Sequence, residues 1–196
     1  MIKFADGSQK MDLDKAKIEL QNIDRIFGEL NIDYCIVGGT LLGCFRHGGF
    51  IPWDDDVDIL VEEHEIYRLL QFFYLKGYRI NFFKEEYPYV VLEGKIKIDI
   101  WTCKTSENHV NTCIGIFDKE KWFPSIRAKF EGFAVSVPRD PITAIEFVFG
   151  PDWKENVVRC FRGTSIHDYS GEDLVNEEYL GKAPILSEVL ITKGGN

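Results

Sequence analysis

The amino-acid sequence predicts an α+β fold: a small mixed β-sheet with flanking helices and a peripheral C-terminal tail. Three patterns carry that expectation. Residues 14 to 30 set Ile18, Ile23, Ile26, Phe27 and Leu30 among charged positions at helical spacing. Two short apolar runs, Tyr34 to Val37 and Val57 to Val61, have strand length and are separated by a glycine-rich stretch. From Tyr78 onward several short segments read as strands.

Each element follows from local chemistry. Asp12 or Asp14 can cap the first helix by accepting from its open N–H groups. Tyr34-Cys35-Ile36-Val37 reads as a buried strand ending at Gly38-Gly39, and Thr40 can cap a short helix through Phe45. Residues 63 to 76, with Ile66, Leu69, Leu70, Phe73 and Leu75, form a helix stopped by Gly77. Tyr78 to Phe83, Tyr89 to Leu92 and Lys95 to Trp101 are strand candidates. The last puts Lys95, Lys97, Asp99 and Trp101 on one face and Ile96, Ile98 and Ile100 on the other. Gly132 to Val137 is a further strand. Asp140-Pro141 opens a helix through Phe149, which Gly150-Pro151 ends. Residues 154 to 196 are polar and weakly periodic, and are expected as a peripheral or partly ordered tail beyond a domain of residues 1 to 153.

With 196 residues, 45% of them apolar and 14% aromatic, the chain can bury a sizeable core in one domain. Its net charge of -9 argues against electrostatic binding of nucleic acid, which needs a basic face. No apolar run approaches the roughly 20 residues of a membrane helix, and the N-terminus has no signal-peptide core. Five widely spaced cysteines fit a reduced, cytoplasmic setting.

The chemistry is concentrated between Gly38 and Asp58, with a distant partner at Asp99. If Asp56-Val57-Asp58-Ile59 is a strand, Asp56 and Asp58 project from one face, and Asp54 joins them if the strand begins early. A neighbouring strand would bring Asp99 alongside. Two like charges ~5 Å apart repel by roughly 3 kcal/mol at an effective dielectric of ~20, so such a cluster calls for a cation, protonation or separation. Hard oxygen ligands favour Mg²⁺ or Mn²⁺. Trp53, Val57, Ile59 and Leu60 set the acids beside a core, which speaks against a merely solvated acidic turn. Asp54, Asp56, Asp58 and Glu65 also match positions of a calcium loop, but Ile59 stands where that loop requires glycine. Gly38-Gly39, between a strand and a helix start, would let the backbone approach an anion, and the helix N–H groups would favour it. The stretch lacks both the Gly-Lys-Ser/Thr of a P-loop and the Gly-x-Gly-x-x-Gly of a dinucleotide fold.

A strand ending in Gly-Gly, then Asp56-Val57-Asp58-Ile59, then a third acid in Lys97-Ile98-Asp99-Ile100, resembles the DNA polymerase beta-like nucleotidyltransferase superfamily. Gly39-Thr40-Leu41-Leu42-Gly43, Arg46-His47 and Gly49-Phe50-Ile51-Pro52-Trp53-Asp54-Asp55-Asp56-Val57-Asp58-Ile59 resemble the signature of the LicD family. Val137-Pro138 and Phe149-Gly150-Pro151-Asp152-Trp153 resemble its C-terminal region more loosely. The likeness covers roughly residues 14 to 153. Cys44 stands where a small residue such as Ala or Thr is usual, and Phe149 replaces a tyrosine, so any role of that hydroxyl is lost.

The resemblance implies a nucleotidyltransferase fold and transfer of a phospho-alcohol, phosphocholine first, from a CDP-activated donor to a glycan hydroxyl with release of CMP. CDP-ribitol is the other donor, and nucleotidyl transfer from an NTP is the alternative chemistry. Asp54, Asp56, Asp58 and Asp99 would hold Mg²⁺ or Mn²⁺, with Asp56, Asp58 and Asp99 catalytic. Asp99 would orient or deprotonate the acceptor. Gly38, Gly39 and Thr40 would meet the donor diphosphate, Arg46 and Lys97 would neutralise phosphate charge, and His47 would contact the donor or brace the acidic loop. Trp53 and Trp101 flank the acids and could meet a quaternary ammonium. Separately, Cys103, His109 and Cys113, with Cys160 or His167, are candidate zinc ligands at a spacing that matches no standard finger.

Overall fold

A computed structural model of the chain describes residues 11–154 except 52, 53, 84, 85 and 95. The tail, Trp53, Lys95, Cys160 and His167 therefore lie outside the described residues. The first helix, α1 (Leu13–Glu29), begins where Asp12 Oδ1 accepts from the Lys15 N–H at 3.2 Å. Its buried stripe is Ala16, Leu20, Ile23 and Phe27, spaced three and four residues apart. Ile18, expected among the apolar positions of this helix, is exposed instead.

The main sheet forms from β1 (Tyr34–Ile36), β2 (Asp56–Glu62), β3 (Arg79–Phe83), β4 (Tyr89–Glu93) and β5 (Lys97–Thr105). Their spatial order is β1-β2-β5-β4-β3, with β2 and β5 parallel and every other neighbour antiparallel. The sheet is mixed, as the sequence predicts. Because Asp56 to Glu62 is extended, the calcium-loop reading is excluded: Asp56, Asp58 and the Ile59 position lie along a strand, not in a loop. Two helices connect strands of this sheet: α2 (Gly38–His47) between β1 and β2, and α3 (Ile66–Leu75) between β2 and β3. The α2 helix is longer than expected at both ends, taking in Gly38-Gly39 and Arg46-His47. The α3 helix is preceded by a 3-10 turn over Glu63–Glu65, and Gly77 follows it with φ +79.

Beyond β5 the chain is more structured than the sequence suggests. β6 (His109–Thr112) and β7 (Gly115–Asp118) extend β5 as an antiparallel meander, followed by a single helical turn, α4 (Lys119–Trp122). β8 (Ile126–Phe130) pairs with β9 (Phe133–Val137) through a two-residue turn in which Glu131 and Gly132 both have positive φ. This hairpin packs on β1, α1 and α2. Arg127 of β8 holds Asp24 of α1 with two donors, at 2.6 and 2.8 Å, and the Tyr34 hydroxyl donates to the same carboxylate at 2.5 Å. Last comes α5 (Pro141–Phe149), capped by Asp140 and packed on α2 and α4. One buried apolar cluster runs from Met11 to Trp153 and gathers all the layers.

Candidate active site

Strand periodicity and register assemble the acids. In β2, Asp56 and Asp58 share a face; in β5, Lys97, Asp99 and Trp101 share a face. The parallel pairing sets Asp56 opposite Lys97, Asp58 opposite Asp99 and Leu60 opposite Trp101. One ligand oxygen from each of Asp56, Asp58 and Asp99 lies within 4.8 Å of the others, and Asp54, Asp55 and Asp56 form a second such group. Among the described residues these are the groups of three or more able to converge on a metal. Cys103, His109 and Cys113 do not form one. Cys103 is buried with its thiol 3.4 Å from the Val61 carbonyl oxygen, His109 opens β6, and Cys113 lies in the β6–β7 turn.

Gly38 and Gly39 form the first turn of α2 and let Asp58 and Asp54 approach it. A methyl group on Gly39 would lie 2.6 Å from Asp54 Oδ2, and one on Gly38 would lie 2.5 Å from Asp58 Oδ2. Gly38 also has φ +52, which favours glycine. No side chain caps this helix start, so its dipole and first N–H groups favour negative charge there. Thr40 is fully buried, and its hydroxyl oxygen accepts from the Asp58 N–H at 2.9 Å. Its side chain therefore ties α2 to β2 rather than opening to a donor diphosphate. Gly43 is needed one turn later: a methyl there would meet the Gly49 carbonyl oxygen at 2.4 Å, so the loop carrying Phe50 and Ile51 can lie on the helix.

The charges are compensated from within. Lys97 Nζ donates to Asp56 Oδ2 at 2.5 Å and to Asp99 Oδ2 at 3.0 Å. Burial works against its positive charge, but Asp56 and then Asp99 outweigh that and raise its pKa. Trp101 Nε1 donates to Asp58 Oδ1 at 3.0 Å, and its ring stacks on Tyr89 with centroids 4.9 Å apart. Burial, followed by the charge of Asp56, holds Asp58 well above the usual carboxylate range. Burial, then Asp56 and Asp55, push Asp54 up to about 7, and its buried Oδ2 makes no hydrogen bond. A buried carboxylate oxygen without a donor beside two further acids suits a hard cation.

Arg46 and His47 lie at the far end of α2. Arg46 is 2% exposed and donates weakly to the Trp153 carbonyl oxygen, at 3.5 Å. Burial lowers its pKa to about 10 while Asp54 counteracts the fall, so the guanidinium acts inward, on the acidic loop. His47 is lowered to about 4 by burial and then by Arg46, and is neutral at physiological pH. The sequence set Trp101 on the Asp99 face beside the acids but did not show it as the donor to Asp58. The register of Trp101 opposite Leu60, two pairs beyond Asp58 and Asp99 and so on the same face, is the signal that places its ring beside the acids.

The family described as LicD/FKTN/FKRP, nucleotidyltransferase domain, matches residues 31–140. The chain belongs to the LicD family. The matched span holds β1 to β9, α2 and all the acids described above. An uncharacterized protein of Rickettsia prowazekii is 33% identical over 140 residues, covering 65% of this chain and 51% of its own. The lipopolysaccharide cholinephosphotransferase LicD of Haemophilus influenzae is 39% identical over 66 residues, covering 32% of this chain and 25% of its own. The human ribitol 5-phosphate transferase FKRP is 28% identical over 147 residues, covering 64% and 29%. This LicD-family chain thus spans about half the length, or less, of the curated relatives it matches. Among solved structures, the lincosamide antibiotic adenylyltransferase LnuA superposes with a TM-score of 0.51 at 15% identity, covering 66% of this chain and 82% of its own. That likeness shows the nucleotidyltransferase fold.

No helix of the described residues is long and apolar enough to cross a membrane.

Proposed function

We propose that this LicD-family chain transfers phosphocholine from CDP-choline to a hydroxyl of a glycan, releasing CMP. The observation that carries the reading is the carboxylate group Asp56, Asp58 and Asp99, gathered by a parallel strand pair beside the N-terminus of α2. The Haemophilus influenzae relative, named a lipopolysaccharide cholinephosphotransferase, supports the choline donor and the glycan acceptor.

Asp56, Asp58 and Asp99, with Asp54 beside them, would hold Mg²⁺ or Mn²⁺. When bound, such an ion neutralises charge on the transferring phosphoryl group and activates the attacking oxygen. The chain's own residues do the rest. The N–H groups of Gly38 and Gly39 favour the donor diphosphate at the start of α2. Asp99 takes the proton of the acceptor hydroxyl. The acceptor oxygen forms a new bond to the choline-bearing phosphorus, and the bond from that phosphorus to the bridging oxygen breaks. CMP leaves with the electron pair. Lys97 holds Asp56 and Asp99 in register through the exchange, and Trp101 holds Asp58.

The test is CMP release from CDP-choline with Mg²⁺ and a glycan acceptor, which Asp58→Asn should abolish. CMP release from CDP-ribitol alone would move the reading to pentitol phosphate. Pyrophosphate from CTP or ATP, with no CMP from either CDP-alcohol, would replace it with nucleotidyl transfer.

A further inference from the structure

A cavity of about 230 Å³ continues the acidic site along the same sheet face. Gly38, at the start of α2, and Asp58 are among its lining and join it to the acidic site. Its floor follows from the strand register. Two residues beyond the Asp58–Asp99 pair, Leu60 and Trp101 stand opposite each other, so a polar row gives way to an apolar one. Ile114, from the β6–β7 turn, and Val148, from α5, close the outer side, and Trp122 of α4 adds a second indole.

The lining limits what can enter. No lysine or arginine lines the cavity among the described residues, so beyond the start of α2 at Gly38 no side chain there would hold a phosphate. Asp58, Trp101 and Thr112 of its lining are already hydrogen-bonded within the fold. Asp58 Oδ1 accepts from Trp101, while the Thr112 hydroxyl donates to the Gly115 carbonyl oxygen and its oxygen accepts from the Ile114 N–H. A polyhydroxylated chain would bury hydroxyl groups without partners, each lowering affinity by roughly tenfold or more. A quaternary ammonium has no hydrogen-bonding group to satisfy, and its methyl surface suits aliphatic walls and indole rings.

We infer that this cavity seats the organic group carried on the transferred phosphate, and that Ile114, Val148 and Trp122 select a quaternary ammonium over a polyol. The inference rests on the CDP-alcohol reading above. A phosphate bound at the first turn of α2 would project its substituent past Gly38 and Asp58 into the cavity, which leaves the cytidine outside it.

Calorimetry with Mg²⁺ tests this, using CDP-choline, CDP-ribitol and CMP as ligands. On the unaltered protein, CDP-choline should bind at least roughly tenfold more tightly than CDP-ribitol. Ile114 and Val148 are 51% and 38% exposed, so Ile114→Trp and Val148→Trp should fold. Each should weaken CDP-choline by roughly tenfold while CMP and Mn²⁺ bind as before. Equal affinity for the two CDP-alcohols overturns the inference. So does CDP-choline binding that is blind to both substitutions, or CMP binding that weakens in step with it. If CMP binds and neither CDP-alcohol does, the donor reading falls and this assignment falls with it. If CDP-choline turns over but ignores both substitutions, only the cavity assignment falls.

Discussion

Replacing Lys97 by methionine keeps the length and apolar stem of the side chain and removes the ammonium that spans Asp56 and Asp99. The two carboxylates have side chains only 13% and 5% exposed, and their bonds to the ammonium are 2.5 and 3.0 Å long. Breaking a buried ion pair by removing one partner costs about 3–5 kcal/mol. A quarter of the Lys97 side chain is open to solvent, which screens the interaction and lowers the expected loss to about 2–3 kcal/mol. In a domain of this size that corresponds to a fall in Tm of roughly 4–12 °C. The same change removes a positive charge from the candidate cation site. Divalent binding should tighten, and a roughly tenfold gain in affinity adds about 1.4 kcal/mol of ligand-linked stability. The assay is thermal unfolding with EDTA and with Mg²⁺ present, on wild type and Lys97→Met. The variant should be the less stable of the two without metal and should gain more from Mg²⁺. An unchanged metal-free Tm, or a Mg²⁺ increment no larger than that of wild type, would refute the view of Lys97 as a resident counter-charge.

Other expectations follow from the same geometry. Gly39→Ala drives a methyl to 2.6 Å from Asp54 Oδ2 and should lower stability by about 1–3 kcal/mol and weaken Mn²⁺ binding, read by denaturant unfolding and electron paramagnetic resonance. Trp101→Phe keeps a ring against Tyr89 but loses the donor to Asp58. It should leave the fold intact by circular dichroism and reduce turnover by roughly tenfold or more, since a hydrogen bond to a charged group contributes about 1.5–3 kcal/mol. His47 titrates near 4 when folded and near 6.5 when unfolded, so the unfolded chain alone takes up its proton between those values. Its stabilising share is complete above pH ~6.5 and disappears as pH falls toward 4. Asp54, raised to about 7, works in the opposite sense: its burial destabilises the metal-free fold as pH rises from about 4 to 7. The His47 share is therefore read as the difference between wild type and His47→Gln across that window. Parallel Tm–pH curves for the two proteins would remove His47 from the account.

The elements legible in the sequence were those with long or emphatic patterns. Asp12 and its apolar stripe mark α1, Asp140-Pro141 marks α5, and the alternation through Asp99 and Trp101 marks β5. Three short pieces, β6, β7 and α4, carry no such signal. Ile114 and Ile116 are exposed, and each piece has only four residues, so their stability comes from pairing onto β5 and from Trp122 packing on Phe117. The β8–β9 turn did leave a trace. A glycine after Glu131, between Phe130 and Phe133, suits a two-residue turn with positive φ at both positions. The acidic cluster was legible because period two and a single register decide it. The direction of the side chains around it was not, because hydrogen-bond partners such as Thr40 to Asp58 join segments 18 residues apart.

That last difference has a consequence for how phosphate would be held. Thr40, Arg46 and Lys97, each expected at the donor, are all turned toward the acids: Thr40 to the Asp58 backbone, Arg46 toward Asp54, Lys97 to Asp56 and Asp99. Repulsion among buried carboxylates explains why. With like charges drawn this close, each cationic side chain in reach is more stabilising against a carboxylate than open to solvent awaiting a ligand, while Thr40 is held by the Asp58 backbone N–H instead. What remains for a diphosphate is the set of N–H groups at the start of α2 and whatever cation the carboxylates bind. On the proposed reading, a chain of net charge -9 would hold an anionic donor without a basic cleft. Its affinity for that donor should depend steeply on divalent cation and only weakly on ionic strength, in contrast to a site built from exposed lysines and arginines.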